Sequence, residues 1–338
     1  MNETGRLRVK HLSFGFLPGW WVGHYGVAHG ERYYTDPEFR MRANTRVKHI
    51  LRNEMRELLI YDIDPADEPA NPDYGNATSG AFAGCEVSFP EDGCPTNKHL
   101  PEEKLAGLKL PEKIEDAYPY NDMIRQVEFM NKKYGRDAMP VILPRGVLNE
   151  AFLIAGGKIL TDMLGEPEEA RRMLDFSYGL LEKTVEYNAR IGYRWMVRVL
   201  NCTVQLISPA MYEEWLLPYD QKICALAEKH GMCFGIHHCG LLDPVMDLYR
   251  KIPRFAYLQM GFGSDIQKAF RLFPEADLHY IIDPVFCVNS TPGQVAKKMG
   301  DILAEAGENA KNLSIGVGAL DYGTPMENLI AIKKAFLD

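Results

Sequence analysis

The stretch 195–240, WMVRVLNCTVQLISPAMYEEWLLPYDQKICALAEKHGMCFGIHHCG, reads as strand, helix, strand. Residues 195–200 and 233–237 are short apolar runs of strand length, while 208–230 repeats its apolar residues at helical spacing. Ser208 and Pro209 supply an N-cap and a first-turn proline, and Gly231 supplies the stop. Pro218, inside that helix, should kink or divide it. Two strands joined by a crossover helix run parallel.

The same alternation extends in both directions. Strands are expected at 139–143, 255–260, 278–282 and 313–317. Helices are expected at 150–164, 167–191 and 244–251, and from 265. The runs Thr291-Pro292-Gly293-Gln294 and Thr324-Pro325-Met326-Glu327 read as capping boxes that open the last two helices. This repetition is α/β chemistry with parallel strands. The chain ends on a helix and its nearest approach to a glycine-rich dinucleotide turn is GFGS at Gly261, so a closed (β/α)8 TIM barrel is favoured over a doubly wound sheet. A barrel of roughly 250 residues with additions accounts for the length. We therefore expect one barrel domain over 1–338, with an irregular, loop-rich N-terminal extension (1–130) and regular βα units over 131–338. Within the extension, 33–57 reads as one helix around the cap Asp36-Pro37. Residues 64–119, rich in Pro, Gly, Asn and Asp, read as loop covering one end of the barrel, packed through Phe82, Phe89, Tyr118 and Tyr120.

Composition excludes some functions. Hydrophobic residues make up 46% and charged residues 25% of the chain, enough for one large core. The formal net charge is −8 and the cations are scattered, which argues against nucleic acid as a partner. No apolar run reaches about 18 residues, so no membrane span is expected. The N-terminus lacks a charged leader before an apolar stretch, and the seven cysteines are an odd, dispersed set. Both point to a cytoplasmic protein with reduced thiols.

In a (β/α)8 barrel the chemistry sits at the C-terminal ends of the strands. The run Gly235-Ile236-His237-His238-Cys239-Gly240 stands there. Strand alternation puts His237 and Cys239 on one face and His238 on the other. Imidazole plus thiolate is a zinc-ligand pair, although a buried His and Cys satisfied by packing is the simpler reading. A third ligand must come from another strand. Cys287 is the first candidate and Cys202 the next, with Glu150 or Asp321 as oxygen donors. Each also has a plain role, the cysteines as small buried residues and Glu150 as a helix-opening carboxylate. Trp21, His24 and Tyr25, set among glycines, would either wall an aromatic-lined substrate pocket or plug the barrel bottom.

These residues carry a family resemblance. Ile207-Ser208-Pro209-Ala210-Met211-Tyr212-Glu213-Glu214, Leu217-Pro218-Tyr219, Phe234 through Gly240, and Gly318 through Leu329 resemble the uroporphyrinogen decarboxylase superfamily. The likeness runs from about Pro140 to the C-terminus, and its fold is a (β/α)8 barrel. The decarboxylases carry an arginine-rich RQAGRY-like run near the N-terminus; Arg40 and Arg42 stand in a different context. The other branch comprises zinc methyltransferases that serve corrinoid proteins, including those of O-demethylase systems, and His237 and Cys239 match their His-x-Cys pair. Their later cysteine normally stands in a Gly-Cys-Gly-like turn, where this chain has Ile315-Gly316-Val317-Gly318-Ala319. Either Cys287, Cys202 or a carboxylate replaces it, or the site has drifted.

The resemblance implies a methyltransferase that moves a methyl group between a small methylated substrate, such as a methoxylated aromatic, and a corrinoid (cobalamin) on a partner protein. Zinc would be the Lewis acid. It further implies that His238, Asn201 and Asp321 act beside the ligands or position substrate, and that Glu150 joins the substrate contacts. A homodimer is left open. The competing readings are a metal-free decarboxylase using Arg145 or Arg198 as anchors, and a non-catalytic tetrapyrrole- or corrinoid-binding barrel.

Overall fold

The computed structural model describes residues 7–60 and 72–337; the loop expectation over 64–71 lies outside them. The strands are β1 (His11–Phe16), β2 (Val87–Ser88), β3 (Thr96–Asn97), β4 (Met196–Leu200), β5 (Cys233–His238), β6 (Phe255–Met260), β7 (Asp277–Ile282) and β8 (Leu313–Leu320). β2 and β3 form a small antiparallel pair in the N-terminal part. The other six form one parallel sheet in the order β1-β8-β7-β6-β5-β4. The first and last strands are neighbours, as a barrel requires and a doubly wound sheet does not. The fold is of the (β/α)8 type, with ladder hydrogen bonds running through six strands among the described residues.

Alternation decides which side chains reach the lumen. In β7, Leu278, Tyr280 and Ile282 are buried against the helices, while Asp277, His279 and Ile281 face inward and are only half-buried. In β5, Phe234, Ile236 and His238 take the outer, buried positions, and His237 and Cys239 take the inner face. Outer residues of the strands and apolar faces of the helices share one large core extending from Val9 to Phe336, with two smaller clusters around Tyr120 and Tyr74.

Several expectations are corrected. The stretch 139–143 makes no ladder: Pro140 and Pro144 lack donors, and the Val141 N–H turns back to the Met139 carbonyl at 2.9 Å. Asn188 substitutes for a neighbouring strand: its Nδ2 donates to the Ile142 carbonyl at 2.6 Å, and the Ile142 N–H donates to its Oδ1 at 3.0 Å. The predicted helix 33–57 is two helices, Glu31–Thr35 and Pro37–Asn53, divided at Asp36, whose carboxylate caps the second by accepting from the Glu38 and Phe39 N–H groups. The predicted helix 150–164 breaks at Gly156, which adopts φ 65°. The Thr291–Gln294 capping box is present. The one expected at Thr324 is not: the helix Met326–Ala335 starts after Pro325, and the Thr324 hydroxyl is buried without a partner.

Elements not anticipated include β1, the helix Pro18–Tyr25 after it, the helix Ala77–Ala83 and the β2–β3 pair within the stretch read as loop, and the helices Tyr120–Tyr134 and Pro284–Asn289. The pattern of β1 is weak because it is only six residues long and its inward positions hold the small residues Ser13 and Gly15. The long helix over 208–230 is divided near Pro218, as expected. Ser208 caps its start by accepting from the Met211 N–H at 3.2 Å. Tyr212–Leu216 then takes a wider π-type turn before the helix Leu217–Lys229. Pro218 has no N–H to give the Glu214 carbonyl, which accounts for the break in the α-helical ladder. No helix among the described residues is long and apolar enough to cross a membrane.

Candidate metal centre

Cys202, His237 and Cys239 meet at the C-terminal ends of β4 and β5, with their ligand atoms all within 4.8 Å of one another. Cys202 opens the 3-10 turn that follows β4, and the Asn201 N–H donates to the His237 carbonyl at 2.9 Å, so the ladder continues one step past the strand. In a tetrahedral site with metal–sulfur bonds of about 2.3 Å and metal–nitrogen bonds of about 2.0 Å, ligand atoms stand roughly 3.5 Å apart. Ligand atoms lying within 4.8 Å of one another are near enough to close on one ion. Two thiols and an imidazole are a fitting donor set for a soft or borderline divalent ion, and they leave one coordination position open.

The electrostatics favour a charged thiolate. The Cys202 thiol and then the His237 imidazole hold the Cys239 thiol well below the ordinary thiol range, whereas the neighbouring Cys239 and burial raise that of Cys202. His237 is oriented by Gln259 on β6, whose side-chain oxygen pairs with Nδ1. That pairing assigns the ring proton to Nδ1 and leaves the Nε2 lone pair for a metal. Gln205 lies over the thiols, its Nε2 donating to the Cys239 Sγ at 3.6 Å and to the Cys202 carbonyl at 3.1 Å. It fits there because residue 240 is glycine: a Cβ at Gly240 would stand 1.7 Å from the Gln205 Oε1.

Beside the three residues lies a cavity of about 680 Å³. Phe14, Phe262 and Ile281 give it apolar walls, and His279 and Asp283 are among its polar groups. The Tyr257 hydroxyl meets the His279 Nδ1 at 3.1 Å. Burial, before the nearby cationic groups, pushes the His279 imidazole down to about 4, so the ring is neutral near pH 7.

The profile of the uroporphyrinogen decarboxylase (URO-D) family matches residues 77–336. The chain belongs to that family. Among solved structures, a methyltransferase from Methanosarcina mazei superposes with a TM-score of 0.65 at 15% identity, covering 98% of this chain and 93% of the other. No curated protein sequence matches it.

The remaining residues singled out in this URO-D family chain lie as follows. Cys202 is the second thiol of the group; Cys287 is not. It sits fully buried in the helix Pro284–Asn289, facing the helix Met326–Ala335, where the Asn328 Nδ2 donates to its carbonyl at 2.8 Å. Glu150 is also outside the group. It is buried beside Ser79 and Arg145, and burial raises its pKa. Arg145 itself is held by Asp73 at 3.1 Å and by the Gly75 carbonyl at 2.6 Å. Asp321 is exposed against the start of the helix Pro18–Tyr25, in space left by the missing side chain of Gly19. A carboxylate is stabilised there by the helix terminus.

Trp21, His24 and Tyr25 belong to that same helix, which follows β1 and so lies at the mouth side, not the bottom. His24 stacks between Trp20 and Tyr322, and its Nε2 meets the Tyr322 carbonyl at 3.1 Å. These three residues are not among those lining the cavity beside the thiols. Asn201 and His238 point away from the lumen, into a buried polar network. Gln259, His279 and Gln205 were not anticipated; polar residues at alternate positions of β6 and β7 were the available signal for the first two.

Proposed function

We propose that this protein is a zinc-dependent methyltransferase that exchanges a methyl group between a small methylated substrate and a corrinoid carried by a partner protein. The observation that carries the reading is the meeting of Cys202, His237 and Cys239 at the mouth end of the strands, beside a large cavity. The name of the structural neighbour from Methanosarcina mazei supports the reaction class. In this reading Cys202, His237 and Cys239 hold zinc, which would supply Lewis-acid polarisation of the heteroatom that bears the methyl group.

The chain's own residues do the rest. Gln259 keeps His237 in the tautomer that can bind metal. Gln205 donates to the Cys239 thiolate and covers it on the exposed side. Phe14, Phe262 and Ile281 exclude water from the substrate. A cavity of about 680 Å³ is far larger than a one-carbon donor needs and is suited to a ring such as a methoxylated aromatic. Around the mouth, exposed Leu206, Leu241, Val285 and Tyr322 each follow a strand and form an apolar rim suited to a docking partner. The free cysteines suit a cytoplasmic location.

The decarboxylase reading asks for free cationic anchors. Arg145 is engaged by Asp73 and Gly75, and Arg198 lies over the Tyr257 ring at 5.9 Å.

Metal analysis of the purified protein beside Cys202→Ala, His237→Ala and Cys239→Ala tests the proposal, together with methyl transfer to free cob(I)alamin. One zinc per chain, lost in each variant along with transfer, supports it. Absence of zinc from protein purified without chelators overturns it.

A further inference from the structure

The residues immediately before the two thiols, Asn201 and His238, turn the opposite way from them and enter one buried network. The Asn201 Nδ2 donates to the Asp220 Oδ2 at 2.8 Å, and the Tyr212 hydroxyl donates to the same oxygen at 2.7 Å. The Tyr249 hydroxyl meets the His238 Nδ1 at 3.0 Å and lies against the Asn201 amide. The Tyr212 and Tyr249 rings pack edge to face with centroids 5.3 Å apart. All five residues are buried, and Asp220 is 2% exposed. No Lys or Arg pairs with Asp220 among the described residues.

A buried carboxylate without a cation is costly, and such groups persist where every lone pair in use is well satisfied. Here the carboxylate gathers donors from two elements. Tyr212 comes from the π-type turn, which sets it on the same side as Asp220, eight residues on. Asn201 comes from the end of β4. Tyr249 continues the chain of contacts to His238 at the end of β5.

We infer that Asp220 and Tyr249 are positioning residues of the metal centre: through Asn201 and His238 they lock the ends of β4 and β5 together, so that Cys202 and Cys239 are presented at ligand spacing before the metal arrives. The inference rests on reading Cys202, His237 and Cys239 as metal ligands. Removing the brace leaves the ligands in place but loosens their spacing, so metal affinity falls without loss of any donor.

The test uses the full chain, with zinc affinity measured by chelator competition and cobalt(II) as a spectroscopic probe. Wild type is expected to give the intense visible bands of tetrahedral thiolate-bound cobalt. Tyr249→Phe keeps the packed ring and removes one hydroxyl; Asp220→Leu removes the central acceptor. Each is expected to weaken zinc binding about 10- to 100-fold and to broaden or weaken the cobalt bands. Asp220→Asn, which keeps a carbonyl oxygen for both donors, should restore wild-type affinity to within about threefold. Melting of the metal-free proteins separates this effect from general instability, and Tyr249→Phe decides the matter if Asp220→Leu does not fold. Wild-type zinc affinity and an unchanged cobalt spectrum in Tyr249→Phe overturn the inference. Failure of the wild type itself to bind zinc or cobalt overturns the proposed function instead.

Discussion

The N–H of Asn201 donates to the carbonyl of His237 at 2.9 Å, one step beyond the last residue of β4. That single bond decides which cysteine joins the His-x-Cys pair. It draws the start of the following turn alongside β5 and delivers Cys202, the next residue, to Cys239. Cys287 also follows a strand, but the helix Pro284–Asn289 turns it away from the lumen into the core.

The two cysteines should therefore behave differently on substitution. Cys202→Ser is expected to lower zinc content to well under half of the wild-type value, while Cys287→Ser leaves it unchanged and only reduces the melting temperature. Elemental analysis and thermal melts on the same preparations check this. Equal zinc loss in both variants would contradict the geometry.

The Cys239 thiol is held below the ordinary thiol range by Cys202 and His237, which favours its thiolate where ordinary thiols are protonated. In metal-stripped protein, alkylation of Cys239 by iodoacetamide should remain fast at pH 6. Cys224 is pushed up to about 11 by burial and should stay unmodified there. Peptide mapping after timed alkylation gives the answer. Replacing Gln205 with Ala removes a donor to the sulfur and should make alkylation faster by uncovering it.

His279 predicts a pH dependence of stability. Its folded value is about 4, depressed from 6.5 chiefly by burial. Below 6.5 the unfolded chain takes up a proton that the folded chain refuses. The stability tied to a neutral His279 is thus complete above pH 6.5 and is lost as pH falls towards 4. At pH 5 the loss amounts to about 2 kcal/mol. Denaturant melts of wild type and His279→Gln between pH 8 and pH 4.5 should diverge accordingly, with a shallower acid slope in the variant.

Gly316 on β8 lies against the same imidazole: a Cβ there would stand 2.4 Å from the His279 Nε2. Gly316→Ala must push the ring aside, at a cost of about 1–3 kcal/mol. A lowered melting temperature is expected, and the double variant Gly316→Ala, His279→Ala should recover part of it. Additive effects in the double variant would show that the two positions do not touch.

The apolar rim makes a separable prediction. Leu206→Glu and Val285→Glu change exposed side chains and should leave zinc content and transfer to free cob(I)alamin intact. Under the proposed function, transfer to a corrinoid-carrying protein should fall at least tenfold, through weaker docking. Equal loss with both acceptors would place these residues in the site, not on a docking surface.

Much of the architecture was local and therefore readable from the chain. The crossover unit 195–240 has its strand runs, its Ser208-Pro209 start and its Gly231 stop in plain view, and the His237/Cys239 face follows from strand alternation alone. Strands with unusual inner faces were harder. β1 carries Ser13 and Gly15 where the cavity needs room, and Pro140 and Pro144 remove ladder donors in and beside 139–143 while leaving an apolar run that imitates a strand.

What only the tertiary structure decided was the company each residue keeps. The sequence put Cys287 ahead of Cys202 as the third ligand, since both follow a strand by a few residues, and the structure reverses that order. The backbone bond from Asn201 to His237 and the direction of the helix after β7 separate them. Asp220, Tyr249 and Gln259 carry no motif of their own. Their roles exist because parallel pairing sets β4, β5 and β6 side by side, bringing residues far apart in the chain within hydrogen-bond range of one another.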